Sequence, residues 1–378
     1  MNTGLSIIQS TARQRLLLPI IACFLLIFLV TSAYSAIHPS DTLKLGKQAS
    51  FGTAIAITGA ASRIPQEAAL LEHLYKTGWM KNVSFISGAS SGALNCVMLN
   101  AILSGKFNWE RYKQILFSIN NNKIYKPGDR KLPFSTVPLR QFLSGIIKDT
   151  LGYSTIGDLP IPSSISATSL KLLPLRNSTL RFSNRGINSE SSPYYDLVEL
   201  LMASTAIPVV FPAEKINGNK EISSMVFLDG GIGDDHIPLE AVLQYQSMRH
   251  LEADTLIIVS RKSDSEDDLK SELYNLGLRD TKLLEKLGLT LERYSKDSFI
   301  RKLMEFQLVN PELASHTYIY IPDFKQNFPL LNFDTMEDQY SVTSNWADNH
   351  QPVLLSDYLK HNLLSTNKIP AATHEIKK

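Results

Sequence analysis

From about residue 51 onward, short apolar runs alternate with longer segments whose apolar side chains recur at helical spacing. A brief apolar run bounded by turn residues suits a strand buried on both faces, as in a parallel sheet covered by helices. Ala54-Ile55-Ala56-Ile57, Val83-Ser84-Phe85-Ile86, Ile165-Ser166-Ala167-Thr168, Met225-Val226-Phe227-Leu228, Thr255 to Val259 and Thr317 to Ile321 read as such strands. Pro65 to Thr77 reads as a helix, with Ala68, Leu71 and Tyr75 on one face and Gly78 as its stop. Gly92 to Leu103 is nearly all apolar and reads as a buried helix. This alternation predicts an α/β domain over 51–367. Residues 262–308 are charged, amphipathic and helix-prone, with Ser265-Glu266-Asp267-Asp268 as a capped start, and are expected to pack on the sheet of the same domain. Residues 322–350 are polar and weakly patterned, and 368–378 are expected to form a disordered tail.

The first forty residues follow a different pattern. Arg13 and Arg15 precede the apolar run Leu16 to Val30, and Ser32-Ala33-Tyr34-Ser35-Ala36 follows it. That is the order of a secretory signal, with cleavage after Ala33, Ser35 or Ala36. An uncleaved membrane anchor competes, because Leu16 to Ala33 approaches the ~20 residues of a spanning helix. Residues 1–36 are therefore expected to be a signal peptide or an anchor. In either case the catalytic domain would be exported, secreted or periplasmic if cleaved and membrane-anchored if not.

Composition narrows the function mainly by exclusion. Lys and Arg total 38 against 36 for Asp and Glu, so no net charge points to nucleic acid. The two cysteines, Cys23 and Cys96, cannot make a disulfide scaffold, and no zinc-ligand spacing accompanies them.

The sharpest chemical signal is Gly88-Ala89-Ser90-Ser91-Gly92, a Gly-x-Ser-x-Gly between an expected strand and an expected helix. A nucleophile elbow needs glycines at both flanks because the turn is tight and the helix packs closely. The helix N-terminus then points at Ser90, where its N–H groups and dipole stabilise negative charge. A serine hydroxyl also needs a base. Asp229 follows the apolar strand Met225 to Leu228 and precedes Gly230-Gly231, which puts a carboxylate at the carboxyl end of a sheet strand. Burial there would raise its pKa toward that of a working base. A helix cap and an Asp-Gly turn are the plain structural readings of these two motifs.

Several ordered segments together resemble the patatin-like phospholipase family over nearly the whole of the chain after residue 51. Ile86-Ser87-Gly88-Ala89-Ser90-Ser91-Gly92-Ala93-Leu94-Asn95 resembles its nucleophile block, and Val226-Phe227-Leu228-Asp229-Gly230-Gly231 its Asp-Gly-Gly block. Ala203-Ser204-Thr205-Ala206-Ile207-Pro208, running into Phe211-Pro212, is similar to the segment before the second block. Val137 to Arg140 and Ile156 to Leu159 also have counterparts there. The resemblance implies a three-layer α/β sandwich with a central, mostly parallel sheet. It further implies a Ser90–Asp229 dyad without histidine, acting on lipid acyl esters of the phospholipase A or lysophospholipase type, with no cofactor and no metal.

Two departures from that family stand out. Its glycine-rich oxyanion loop corresponds to Gly59-Ala60-Ala61-Ser62-Arg63-Ile64, where only Gly59 and Arg63 keep the pattern. Backbone N–H donors survive in Gly59, Ala60 and Ala61, but an alanine forced into a left-handed conformation costs ~1–2 kcal/mol. Arg63 reads equally as a lipid-headgroup contact or a surface charge. Beyond Asp229, the family's Asn-x-Pro becomes Asp234-Asp235-His236-Ile237-Pro238, with one extra residue. His236 is thereby a second candidate base.

Residues 106–148 carry nine basic and two acidic side chains, interleaved with Phe107, Trp109, Tyr112, Phe117 and Tyr125. A membrane-facing surface and a solvated helix pair with buried aromatics both fit. Two rival functions stay open: a lipid-binding pseudoenzyme with a degenerate oxyanion loop, and an α/β-hydrolase esterase with a Ser–Asp–His triad drawing on His316 or His350.

Overall fold

The computed structural model describes residues 49–126, 132–172, 175–249, 251–262, 272–274 and 295–366. The expected signal or anchor, most of the 262–308 segment with its capped start, and the expected tail lie outside them. Among the described residues no helix is long and apolar enough to cross a membrane.

Among the described residues eight strands make one sheet: β1 (Ala49–Ile57), β2 (Val83–Ala89), β3 (Ser163–Leu172), β4 (Leu175–Ser183), β5 (Val226–Asp229), β6 (Leu251–Val259), β7 (Thr317–Tyr320) and β8 (Val353–Leu354). Their order is β4-β3-β2-β1-β6-β7-β8, with β5 paired to β3. The four inner pairings, from β3 through β2, β1 and β6 to β7, are parallel; β4, β5 and β8 join antiparallel.

Alternation along the central strands explains the layers. Ile55, Ile57, Ile257 and Val259 face one core, which they share with α1 (Ile64–Lys76) and α2 (Ser91–Leu103). Ala54, Ala56, Leu256 and Ile258 face a second core with Val242, Leu303 and Leu359. With both faces covered, these strands carry no polar stripe, so they are continuous apolar runs in the sequence.

Helices α3 (Trp109–Phe117), α4 (Val137–Ser144) and α5 (Leu197–Ser204) precede β5 or flank β3 in the chain, and α6 (Glu240–Arg249) leads into β6. Then come α7 (Lys296–Val309), α8 (Met336–Ala347) and α9 (Leu355–Thr366).

β4, β8 and α8 are among the elements that the sequence pattern does not predict. β4 is an antiparallel partner of β3 whose Arg176, Asn177, Ser178 and Arg181 interrupt any apolar run. β8 spans only two residues. α8 falls in the weakly patterned 322–350 region and packs on α1. It buries Met336, Gln339, Tyr340, Thr343 and Ala347, a helical spacing disguised because two of the five are polar.

One feature of the sheet decides where its chemistry can sit. β4 occupies one edge of β3 from Ser164 to Leu172. The other edge is shared: β2 pairs with Ser163 to Ser166 in parallel, and β5 with Ala167 to Leu170 antiparallel. The carboxyl ends of β2 and β5 therefore meet tip to tip, with Ala89 opposite Ser166 and Asp229 opposite Ala167.

Candidate active site

Ser90 is the first residue beyond β2, and Asp229 is the last of β5. Ser90 Oγ donates to Asp229 Oδ2 at 2.5 Å, and both residues are buried, at 3% and 0% exposure. The other carboxylate oxygen, Oδ1, accepts from Gly231 N–H at 2.8 Å. The Asp229 backbone is tied at both ends, its N–H donating to Ala206 O and its carbonyl accepting from Thr168 Oγ1. A carboxylate fixed this way needs no rearrangement before it takes a proton.

Ser90 adopts φ 56° and ψ −133°, a conformation that costs a non-glycine residue ~1–3 kcal/mol. Its neighbours leave it little alternative. A Cβ on Gly92 would stand 2.1 Å from Thr58 O, and one on Gly88 would stand 2.4 Å from Gly92 O. Ser90 N–H donates to Ser204 Oγ at 2.9 Å, and that hydroxyl passes its own hydrogen to Ser166 O at 2.7 Å. Ser204, within the Ala203–Pro208 segment, thus clamps the strained turn to β3. Ser90 also occupies the N-cap position of α2, so the positive end of that helix lies at Ser90.

In the expected oxyanion loop, Gly59 lies against the Ser90 side chain. Ala61 is the alanine that takes a left-handed conformation, with φ 47°. Ala60 N–H is already engaged, donating to Ser91 Oγ at 2.8 Å. Arg63 is neither a surface charge nor a headgroup contact. It is 2% exposed, with Nε donating to Phe328 O at 2.7 Å and a terminal nitrogen to Lys262 O at 3.0 Å. Its task is to bind backbone carbonyls of two distant segments. Sequence spacing could not show that, because both partners are main-chain atoms about 200 or more residues away.

The insertion after Asp229 also has a structural role. Asp235 takes the guanidinium fork of Arg181 on β4, with Oδ2 2.9 Å from Nε and Oδ1 2.7 Å from a terminal nitrogen, and accepts from Ser166 Oγ at 2.6 Å. His236 ends the short turn Asp234–His236 and is half-buried. The Ser90 hydroxyl is directed to Asp229.

The two triad histidines are remote. His316 is exposed and precedes β7 at the amino end of the parallel strands. Through Leu256 and Ala54 its neighbour Thr317 aligns with Phe85, five residues short of Ser90, or roughly 16 Å along the strands. His350 is exposed, stacks on Trp346 and precedes β8, which lies four strands from β2, roughly 19 Å across the sheet.

Behind the elbow lies a buried polar cluster. Thr58 Oγ1 is 2.9 Å from Glu67 Oε1, Asn95 Nδ2 donates to Glu67 Oε2 at 3.1 Å, and Tyr112 O–H donates to Asn95 Oδ1 at 2.5 Å. Burial pushes the Glu67 carboxyl up to about 8 against the opposing pull of Thr58, Asn95 and the Arg261 charge.

A pocket opens at Ser90. Its lining is almost wholly apolar and includes Ala61, Leu94, Leu139, Phe142, Ile207 and Phe211. The basic, aromatic stretch 106–148 does not present its rings to solvent: Phe107, Trp109 and Tyr112 are buried, and Phe117 and Tyr125 are half-buried. Most of its described cations lie over rings or beside carboxylates. Lys106 sits over Tyr153 and Arg111 over Phe107, while Lys113 pairs with Glu110 and Arg140 with Glu214. The membrane-facing reading of that stretch loses its aromatic anchors.

Among solved structures the fold is similar to VipD from Legionella pneumophila, with 13% identity over 81% of this chain and 68% of that one, TM-score 0.35. It is also similar to the type III effector protein ExoU, with 12% identity over 84% of this chain and 54% of that one, TM-score 0.38. No curated protein matches. The family model for patatin-like phospholipase matches residues 55–243, half of the chain, from within β1 through both motif blocks and into α6. With that match the chain belongs to the patatin-like phospholipase family.

Proposed function

We propose that the protein hydrolyses acyl esters of lipids, of the phospholipase A or lysophospholipase type, with Ser90 as nucleophile and Asp229 as its base. The observation that carries this reading is the 2.5 Å contact between the Ser90 hydroxyl and the buried Asp229 carboxylate at the mouth of an apolar pocket. With an acyl chain in the pocket, Ser90 Oγ attacks the ester carbonyl carbon while Asp229 takes the hydroxyl proton. Negative charge on the former carbonyl oxygen develops beside the Gly59–Ala61 loop and the positive end of α2. Collapse of the tetrahedral adduct expels the alcohol, which leaves with the proton held by Asp229. Water, deprotonated by the same carboxylate, then attacks acyl-Ser90 and releases the fatty acid.

The fixed position of Asp229 supports a two-residue mechanism over a triad, and the distant positions of His316 and His350 point the same way. The basis for export remains the residue order of positions 1–36, and the membrane surface is proposed as the place where substrate is met.

Fluorophosphonate labelling and acyl-ester hydrolysis should be compared for wild type, Ser90→Ala, Asp229→Asn, His316→Ala and His350→Ala. Wild type should label, Ser90→Ala should not, and Asp229→Asn should lose about 10⁴-fold in turnover. Both histidine variants should stay near wild type. A folded wild type that neither labels nor turns over would favour the pseudoenzyme; loss confined to a histidine variant would favour the triad.

A further inference from the structure

The pocket at Ser90 is built mainly from residues between 61 and 211, inside the family-matched segment, but one wall comes from far outside it. Phe333 lines the same space and is itself buried. It belongs to a strap, Phe328 to Asp334, fixed at both ends. At the oxyanion-loop end, Ser62 N–H donates to Leu330 O at 2.9 Å, Ser62 Oγ to Pro329 O at 2.7 Å and Arg63 Nε to Phe328 O at 2.7 Å. Midway, the Glu272 carboxylate accepts from Leu330 N–H and from Leu331 N–H. At the far end, Phe333 N–H donates to Asn121 Oδ1 at 3.0 Å, while Asn121 N–H donates to Asp334 Oδ1 at 3.1 Å and the Asn121 amide nitrogen to Asp334 Oδ2.

So many main-chain ties leave the strap little freedom to slide, and Phe333 lines the pocket together with apolar residues such as Ile119 and Ile124. A rigid aromatic wall in an apolar pocket limits the number of methylenes that can enter.

We infer that Phe333 is a specificity-determining residue that sets the length of acyl chain the Ser90 pocket accepts, and that the strap 328–334 is the element that positions it. The inference rests on the proposed acyl-ester reading. Each buried methylene is worth roughly fourfold in affinity, so opening or filling this wall should redistribute preference along a chain-length series.

The test uses full-length protein carrying Ser90→Ala, so that binding is read without turnover. Hexanoate, decanoate and palmitate affinities are measured by calorimetry in this background, alone and with Phe333→Ala, Phe333→Leu or Phe333→Trp. The same three Phe333 substitutions, with Ser90 intact, are assayed on p-nitrophenyl esters of the same acids. Phe333→Ala and Phe333→Leu should raise the palmitate-to-hexanoate affinity ratio, the former by roughly tenfold or more, and Phe333→Trp should lower it. Ester kcat/KM should shift in the same sense. Leu and Trp conserve apolar bulk, so they report even where Ala fails to fold. Length ratios that stay put in the folded variants, or move the same way for Leu and Trp, would overturn the assignment. A ratio that shifts in binding while no ester is hydrolysed sustains the assignment and counts against the hydrolase reading instead.

Discussion

The hydroxyl of Ser91 accepts the backbone N–H of Ala60 at 2.8 Å, so the residue after the nucleophile fixes the loop beside it. One helix start therefore serves two tasks: Ser90 faces Asp229, and Ser91 holds the segment in which Ala61 takes a left-handed conformation. In Ser91→Ala the buried Ala60 N–H loses this partner, at a cost of about 1–3 kcal/mol. The expected outcome is a lower urea midpoint and a fall in kcat of about tenfold or more, with KM nearly unchanged, because a shifted loop weakens transition-state contacts more than chain binding. Urea melts and steady-state ester kinetics check it; unchanged kcat in a destabilised variant would leave Ser91 a purely structural role.

The Arg181–Asp235 pair sits on the far side of the same apparatus. Asp235 follows the Asp-Gly-Gly block by only a few residues, and its Ser166 contact reaches the peptide whose carbonyl receives Ser204. Removing one partner of a buried, forked pair strands the other charge and costs about 3–5 kcal/mol. Arg181→Ala and Asp235→Ala should each lose stability on that scale in urea melts, and Arg181→Met with Asp235→Leu should lose less than either. A loss below about 1 kcal/mol for both single variants would show the pair to be well solvated.

Glu67 makes stability depend on pH. Its carboxyl titrates at about 8 folded and near the ordinary 4.5 unfolded, so the folded chain binds more protons between those values. The stability this supplies is complete below about 4.5 and is lost as pH rises through about 8. Glu67→Gln removes the ionisation. The melting temperature of wild type should therefore fall relative to Glu67→Gln as pH is raised from about 5 to about 8.5, by an amount equivalent to a few kcal/mol. Parallel melting curves across that range would mean that Glu67 stays ionised in its pocket.

The parts of this molecule that were legible in the sequence are those whose burial is uniform. β1, β2, β6 and the helix after Ser90 are apolar because both layers cover them, and their pattern needs no knowledge of partners. β4 was hidden because its register on β3 depends on Arg181 and Thr179 finding polar partners in the segment after Asp229. α8 was hidden because Gln339 is buried by hydrogen bonds to Ser62 O and Gln66 rather than by hydrophobicity. At the site, the Gly-x-Ser-x-Gly and Asp-Gly-Gly motifs were each visible, but their meeting depends on a shared edge of β3 that no local pattern encodes. Arg63 went astray for a related reason: the main-chain carbonyls of Phe328 and Lys262 that it binds leave no mark in a sequence.

Because one strand sets the gap between Ser90 and Asp229, the proposed nucleophile and base, that gap is insulated from much of the chain. Residues 104–162, which connect α2 to β3, can lengthen or shorten without changing the offset between Ser166 and Ala167 on which the tips of β2 and β5 converge, whereas residues 184–225, which connect β4 to β5, must keep Ser204 and Ala206 in place. Pocket walls can diverge freely while the chemistry stays put. A single residue inserted into β3 between Ser166 and Ala167, by contrast, would turn every following side chain to the opposite face of the sheet and change that offset.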